Sequence, residues 1–197
     1  MEEKELMEKE SQTRELYEWV QTLVGAVIVI MLVFAFAVRL VGVNGSSMEP
    51  TLKHKDCLLV VNSLLHNDYR YGDIVVLRKD TLTEEALVKR VIATENQEVD
   101  IDFDTGSVYV DGVELEESYI NERTYTDEGM VFPLVVPEGS VFVMGDNRNH
   151  STDSRDTRLG TVDTRYIIGK AVAIVLPGTG KSPYTEKRDI GRIGVIA

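Results

Sequence analysis

The sequence predicts a mainly β domain preceded by one N-terminal transmembrane helix. Three observations carry that expectation. An uninterrupted apolar run lies between Glu18 and Arg39. Short Val- and Ile-rich stretches then recur between turn formers. No second apolar run of comparable length follows.

The anchor comes first in the chain. Residues 19–38 read WVQTLVGAVIVIMLVFAFAV and hold no charged side chain. Twenty helical residues reach roughly 30 Å, about the thickness of a bilayer's hydrocarbon core. Gln21 and Thr22 sit near one end, and Tyr17 and Trp19 fall where interfacial aromatics belong. A cleaved targeting signal would start basic, run shorter and end in small residues. Here the first 18 residues carry seven Glu against Lys4, Lys9 and Arg14. The expected organisation is a solvated tail over 1–18, a transmembrane helix over 19–40 and a folded domain over 41–197. Basic residues flank the span on both sides, with Arg39, Lys53 and Lys55 after it, so charge leaves the orientation open.

The strands follow. Leu58–Val61, Asp73–Leu77 and Ala86–Ala93 are compact apolar runs. Val99, Ile101 and Phe103 alternate with acidic residues, which is the two-residue period of a strand with one buried face. Asp104-Thr105-Gly106 turns the chain, and Val108 and Val110 resume the alternation, as a hairpin requires. Val141–Met144 and Ala171–Leu176 complete the set.

Composition bounds the function. The 197 residues suit one domain plus an anchor. A net charge of −12 argues against nucleic acid as a partner, since phosphate backbones need clustered Lys and Arg. The single cysteine, Cys57, reads as a small buried apolar residue. His54, His66 and His150 do not sit at metal-ligand spacing, so neither a metal nor another cofactor is expected. Leu176-Pro177-Gly178-Thr179-Gly180 fits a sortase-type pattern, but a polar segment follows it and a turn-rich loop is expected there.

Three segments concentrate chemistry. They are Asn44-Gly45-Ser46-Ser47-Met48-Glu49-Pro50-Thr51-Leu52, Leu87-Val88-Lys89-Arg90-Val91-Ile92, and the run Met144-Gly145-Asp146-Asn147-Arg148-Asn149-His150-Ser151-Thr152-Asp153-Ser154-Arg155. Alone, the first is a serine-rich turn, the second an exposed charge pair and the third a polar loop. In this order after one span, Ser-Met-x-Pro-Thr-Leu, Lys-Arg-Val and Gly-Asp-Asn-Arg-x-x-Ser-x-Asp-Ser-Arg resemble bacterial type I signal peptidases of the Gram-positive type. Gly72-Asp73-Ile74-Val75-Val76 resembles a further segment of that family.

The resemblance implies a coiled β-sheet catalytic domain, shared in outline with self-cleaving repressors, on the outer side of the cell membrane, with residues 1–18 cytoplasmic. It implies a membrane-anchored serine endopeptidase that removes signal peptides from exported pre-proteins, with the lipid bilayer as its other partner. Ser47 would be the nucleophile and Lys89 the general base. Ser151 would orient the lysine, Asp153 and Arg155 would form a structural ion pair, and Gly145, Asp146 and Arg148 would support the site. The backbone at Ser47, with Gly45 nearby, would hold the oxyanion, and Met48 is a candidate neighbour of the substrate. The sequence departs from the family where some members carry a hydroxyl two residues before the nucleophile, since Gly45 stands there. It departs again where a Gly-rich turn is usual, since Ala93-Thr94-Glu95-Asn96-Gln97-Glu98 follows Ile92.

The residues suit that chemistry. A serine hydroxyl needs a base to take its proton. At an ordinary pKa of about 10.4, only about 1 in 2,500 lysines is neutral at pH 7. Leu87, Val88, Val91 and Ile92 are the neighbours a desolvated, more acidic lysine needs. Side chains alternate along a strand, so Lys89 can face the site while Arg90 faces away. Rival readings are Ser–His chemistry through His150, a soluble self-cleaving repressor, a peptidase for pilin-like or surface proteins, and a tethered binding domain without catalysis.

Overall fold

The computed structural model describes residues 2–66, 68–78, 85–179 and 188–196. The chain divides into two compact units, Met1–Val38 and Arg39–Ala197.

The first unit is helical. Helix α1 runs Glu2–Leu32 and passes into a π-helical turn, Val33–Ala37. The acidic residues after Met1 are therefore helical and continuous with the apolar run. Thr13–Ala37 forms a stretch of 25 residues with a mean hydropathy of 2.5, long and apolar enough to cross a membrane. Its apolar side chains stand exposed, Trp19, Leu23 and Phe36 among them. The helix stops earlier than the expected residue 40. Strand β1, Val38–Gly42, begins there, and its β-branched Val38 and Val41 favour extended backbone.

The second unit is β. The strands after β1 are β2 (Cys57–Asn62), β3 (Ile74–Leu77), β4 (Leu87–Thr94), β5 (Glu98–Asp102), β6 (Ser107–Val110), β7 (Val113–Glu114), β8 (Leu134–Val135), β9 (Ser140–Met144), β10 (Val162–Asp163), β11 (Ile167–Leu176) and β12 (Gly194–Val195). One sheet runs β1-β2-β11-β3-β4-β9-β10, with β12 added beside β11. Its assigned pairs from β2 onward are antiparallel, and register shifts interrupt β11 and the β4–β9 pair. Such bulges bend and coil a sheet. The second sheet, β7-β6-β5-β8, contains the expected hairpin, in which Val99 faces Val110 and Ile101 faces Val108.

Alternation explains the packing. In β5 the exposed acids alternate with buried Val99 and Ile101. Those two meet Val108, Val110, Ile92, Phe142 and Met144 and join the two sheets. A second cluster holds Val75, Val91, Val143 and Leu159 on one face of the large sheet. A third holds Val43, Met48, Leu52, Leu58 and Val76 and fixes the segment that follows β1. Cys57 is a free, half-buried thiol in β2. Leu176 ends β11 and Gly178 approaches the backbone of His54 and Asp56 closely, while Gly180 of the sortase-type pattern lies outside the described residues.

Candidate active site

The site forms where the segment after β1, strand β4 and the loop after β9 converge. The segment 43–56 is folded back on itself: Val43 donates its N–H to Asp56 at 2.8 Å, and Lys55 returns one to Val43 at 2.8 Å. Met48 and Leu52 pin it to the core. Gly45 supplies a left-handed bend at φ +105°, which a side chain would strain.

Lys89 lies in the centre of β4, between Val75 of β3 and the β9 side, and is 2% exposed. Its Nζ donates to Ser151 Oγ at 3.1 Å, and Ser151 Oγ donates to Asp153 Oδ2 at 2.8 Å. Burial pushes the lysine down from 10.5 to about 8, while Asp153 and Glu128 pull the other way. Burial alone would raise the Asp153 carboxyl. Hydrogen bonds and charge from Arg155, with help from Lys89 and the Gly145 N–H, hold it below the usual carboxylate range.

Ser47 reaches this cluster through its backbone. Its carbonyl accepts from the Asn147 N–H at 3.0 Å, and Asn147 Nδ2 donates to the Ser46 carbonyl at 3.0 Å. Gly145 lies between the Ser47 carbonyl and the Ser151 hydroxyl, and a Cβ on Gly145 would collide with both. Glycine is therefore what allows the Ser47 backbone and the Ser151 hydroxyl to close on the same point of the loop.

The expected supporting residues take definite places. Asp153 and Arg155 pair in a bidentate fork, with Nε–Oδ1 at 2.8 Å and Nη2–Oδ2 at 2.9 Å. Gly145 donates its N–H to Asp153 Oδ2 at 2.9 Å. Asp146 and Arg148, adjacent in their roles, do not pair with each other in the described contacts. Asp146 takes Arg90, through Nε and Nη2 at 2.9 Å each, and accepts from Thr51 Oγ1 at 2.5 Å. Arg148 forks onto Glu117 at 2.7 and 2.5 Å and donates to the Gly145 carbonyl at 3.2 Å.

Three more placements complete the site. Met48, the candidate neighbour of the substrate, is 1% exposed and packs in the core beneath the segment that carries Ser47. Gly45 gives its N–H to His54 Nδ1 at 3.1 Å, so it contributes its bend while that donor is committed elsewhere. Lys89 and Arg90 take opposite faces of the strand: Arg90 points away from Lys89 into a buried ion pair with Asp146 beneath the Tyr119 ring, 4.1 Å from its centroid.

Other residues escaped the sequence reading. Asp56 is fully buried and bidentate with Arg192, whose Nη2 also donates to the Thr51 carbonyl at 3.0 Å. Asp56 accepts further from the N–H groups of Lys53 and Gly178, both at 2.7 Å. Glu128 lies 3.7 Å from Arg155, and its carboxyl is raised by burial and by the charge of Asp153. No signal in the linear sequence links Arg192 to Asp56, since the two are 136 residues apart. Among the described residues, no group of three or more His, Cys, Asp or Glu side chains could hold a metal ion.

Comparison with known proteins gives this geometry its class. A family model described as "Signal peptidase, peptidase S26" matches residues 16–176. A "Signal peptidase I" of Bacillus licheniformis is 34% identical over 175 residues, covering 85% of this chain and 92% of its own. A "Probable signal peptidase I-1" of Synechocystis is 38% identical over 146 residues, covering 70% of each chain. A crystal structure of a signal peptidase I from Enterococcus faecalis V583 shows 27% identity and a TM-score of 0.43, covering 52% of this chain and 96% of that one. The chain is thus a peptidase, of the serine endopeptidase class. It belongs to the signal peptidase family, peptidase S26.

Proposed function

We propose that this chain is a membrane-anchored endopeptidase that cleaves signal peptides from exported pre-proteins through a Ser47–Lys89 dyad. The observation that carries the dyad is the buried Lys89 amine, shifted to about 8 and held by Ser151 next to the backbone contacts of Ser47. Names of relatives such as "Signal peptidase I" support the substrate class.

In the proposed reaction, neutral Lys89 takes the proton of Ser47 Oγ as that oxygen attacks the scissile carbonyl. The carbonyl oxygen becomes an oxyanion, facing the backbone N–H of Ser47. The Lys89 ammonium then protonates the leaving amine. Water, deprotonated by the same lysine, attacks the acyl carbon; the Ser47 Oγ–acyl bond breaks and the Lys89 ammonium returns the proton to Ser47 Oγ. Asp153 and Arg155 hold Ser151, and Asp146, Arg90 and Thr51 tie the nucleophile segment to β4.

Anchoring is supported by the apolar helix over Thr13–Ala37. Ser47 lies eight residues after Arg39 in the chain, which suits a substrate held by its own apolar segment at the lipid surface. The domain then faces the outer side, where pre-proteins emerge, and residues 1–18 face the cytoplasm.

The test is cleavage of a pre-protein carrying an A-x-A site by wild type, Ser47→Ala and Lys89→Ala, side by side in detergent. Both variants should lose at least about a thousandfold while melting as the wild type does. Full activity in either folded variant removes that residue from the mechanism.

A further inference from the structure

The geometry points to a second binding site on this chain, a pocket for the negatively charged phosphodiester headgroup of an anionic phospholipid. It shares no residue with the active site. A cavity of about 370 Å³ opens among the end of β2, the end of β3 and the start of β11, and Arg39, Arg78 and Arg165 line it together with Ser63, Leu64 and Tyr166. The chain as a whole carries −12, and three guanidinium groups from three distant segments nonetheless meet here, with no acidic residue among the described residues of the lining. Arginine is suited to phosphate, because its planar fork donates in pairs and stays charged.

Two features select a lipid over a free anion. Arg39 follows the apolar run by one residue, so the pocket includes the point where the chain leaves the proposed span. Leu64, 79% exposed, and half-exposed Tyr166 stand at the same cavity, offering an apolar and an interfacial aromatic surface beside the arginines. A headgroup phosphate among the guanidinium groups would leave its acyl chains beside Leu64. Ser63 adds a hydroxyl for the glycerol end. Two of the cations are already engaged, so a headgroup must share them: Arg78 has a partner of its own, and Asp163, outside the lining, holds Arg165 through Nε at 2.9 Å and Nη2 at 2.6 Å.

The site rests on the proposed span for its access to lipid, but its affinity can be read without a bilayer. The experiment is native mass spectrometry of the full chain, released from maltoside micelles doped with equal amounts of phosphatidylglycerol and phosphatidylcholine, and separately from micelles with inorganic phosphate. One phosphatidylglycerol should be retained at least fivefold over phosphatidylcholine. The Arg39→Gln, Arg165→Gln double variant should lose that preference, while Asp163→Asn, which frees Arg165 and keeps its turn-capping oxygen, should increase retention. Unchanged cleavage of a soluble peptide by the variants shows that they are folded; should the double variant fail to fold, Arg165→Gln alone serves, since that side chain is on the surface. Equal retention of the two lipids, or a preference indifferent to both arginine variants, overturns the site. Inorganic phosphate retained as well as phosphatidylglycerol overturns the lipid assignment. Loss of pre-protein cleavage in the Ser47 and Lys89 variants would be untouched by either result.

Discussion

The Lys89 amine lies 3.1 Å from Ser151 Oγ, and that hydroxyl spends its one proton on Asp153 Oδ2 at 2.8 Å. Ser151 therefore presents lone pairs to the lysine in either protonation state. A neutral amine can donate one N–H there and keep its own lone pair for another proton. Ser151 is in this sense an orienting group whose direction Asp153 sets, and Arg155 sets Asp153.

Removing that orientation should cost rate more than fold. Ser151→Ala is expected to lower kcat/KM by about 10²–10³ with little change in melting temperature. Steady-state kinetics on a pre-protein checks it. Ser151→Thr keeps the hydroxyl and should retain far more activity.

The lysine sets the pH dependence. Its ammonium is disfavoured by burial, so its pKa is about 8 against 10.5 unburied. As the proposed base, Lys89 acts only when neutral, so kcat/KM should rise tenfold per pH unit below 8 and level off above it. A profile flat from pH 6 to 9 would remove Lys89 as the base.

Stability should carry the same signature with a definite sign. Between about 8 and 10.5 the unfolded chain binds the proton that the folded chain has released, so stability rises with pH in that window. Below it, the buried charge is a full penalty. Lys89→Met should therefore melt higher than wild type at pH 7, by up to about 3 kcal/mol, and the gap should narrow above pH 8. Thermal melts of both proteins at pH 7 and pH 9.5 test this.

Gly145 is a steric requirement. A methyl group there meets the Ser47 carbonyl and the Ser151 hydroxyl, neither of which can withdraw without breaking a hydrogen bond. Gly145→Ala should cost about 1–3 kcal/mol in denaturant melts and most of the cleavage activity.

The Asp56–Arg192 pair should couple stability to rate. Arg192→Ala leaves a fully buried carboxylate without its cation, at a cost of about 3–5 kcal/mol. Because Arg192 also holds the Thr51 carbonyl, cleavage should fall as well. Adding Asp56→Asn to Arg192→Ala should recover part of the stability, and a double-mutant cycle measures how much.

Much of this was legible in the linear chain. The apolar run, the hairpin around Asp104-Thr105-Gly106 and the long strands announce themselves by period and by turn formers. Strands β7, β8, β10 and β12 are two residues each, too short for any period to show, and pairing alone creates them. In the site, the separate segments were visible but their wiring was not. Arg90 read only as facing away from Lys89, because its partner Asp146 lies 56 residues away. Met48 read as a substrate neighbour because it adjoins Ser47, and nothing in the linear chain showed its packing in the core.

The clasp made by Arg192 has a consequence for fragments. Asp56 depends on a side chain 136 residues further along the chain, and the same guanidinium holds the Thr51 carbonyl. A polypeptide cut ahead of Arg192 would keep Ser47, Lys89 and Ser151 while the segment that carries Ser47 is left unlatched.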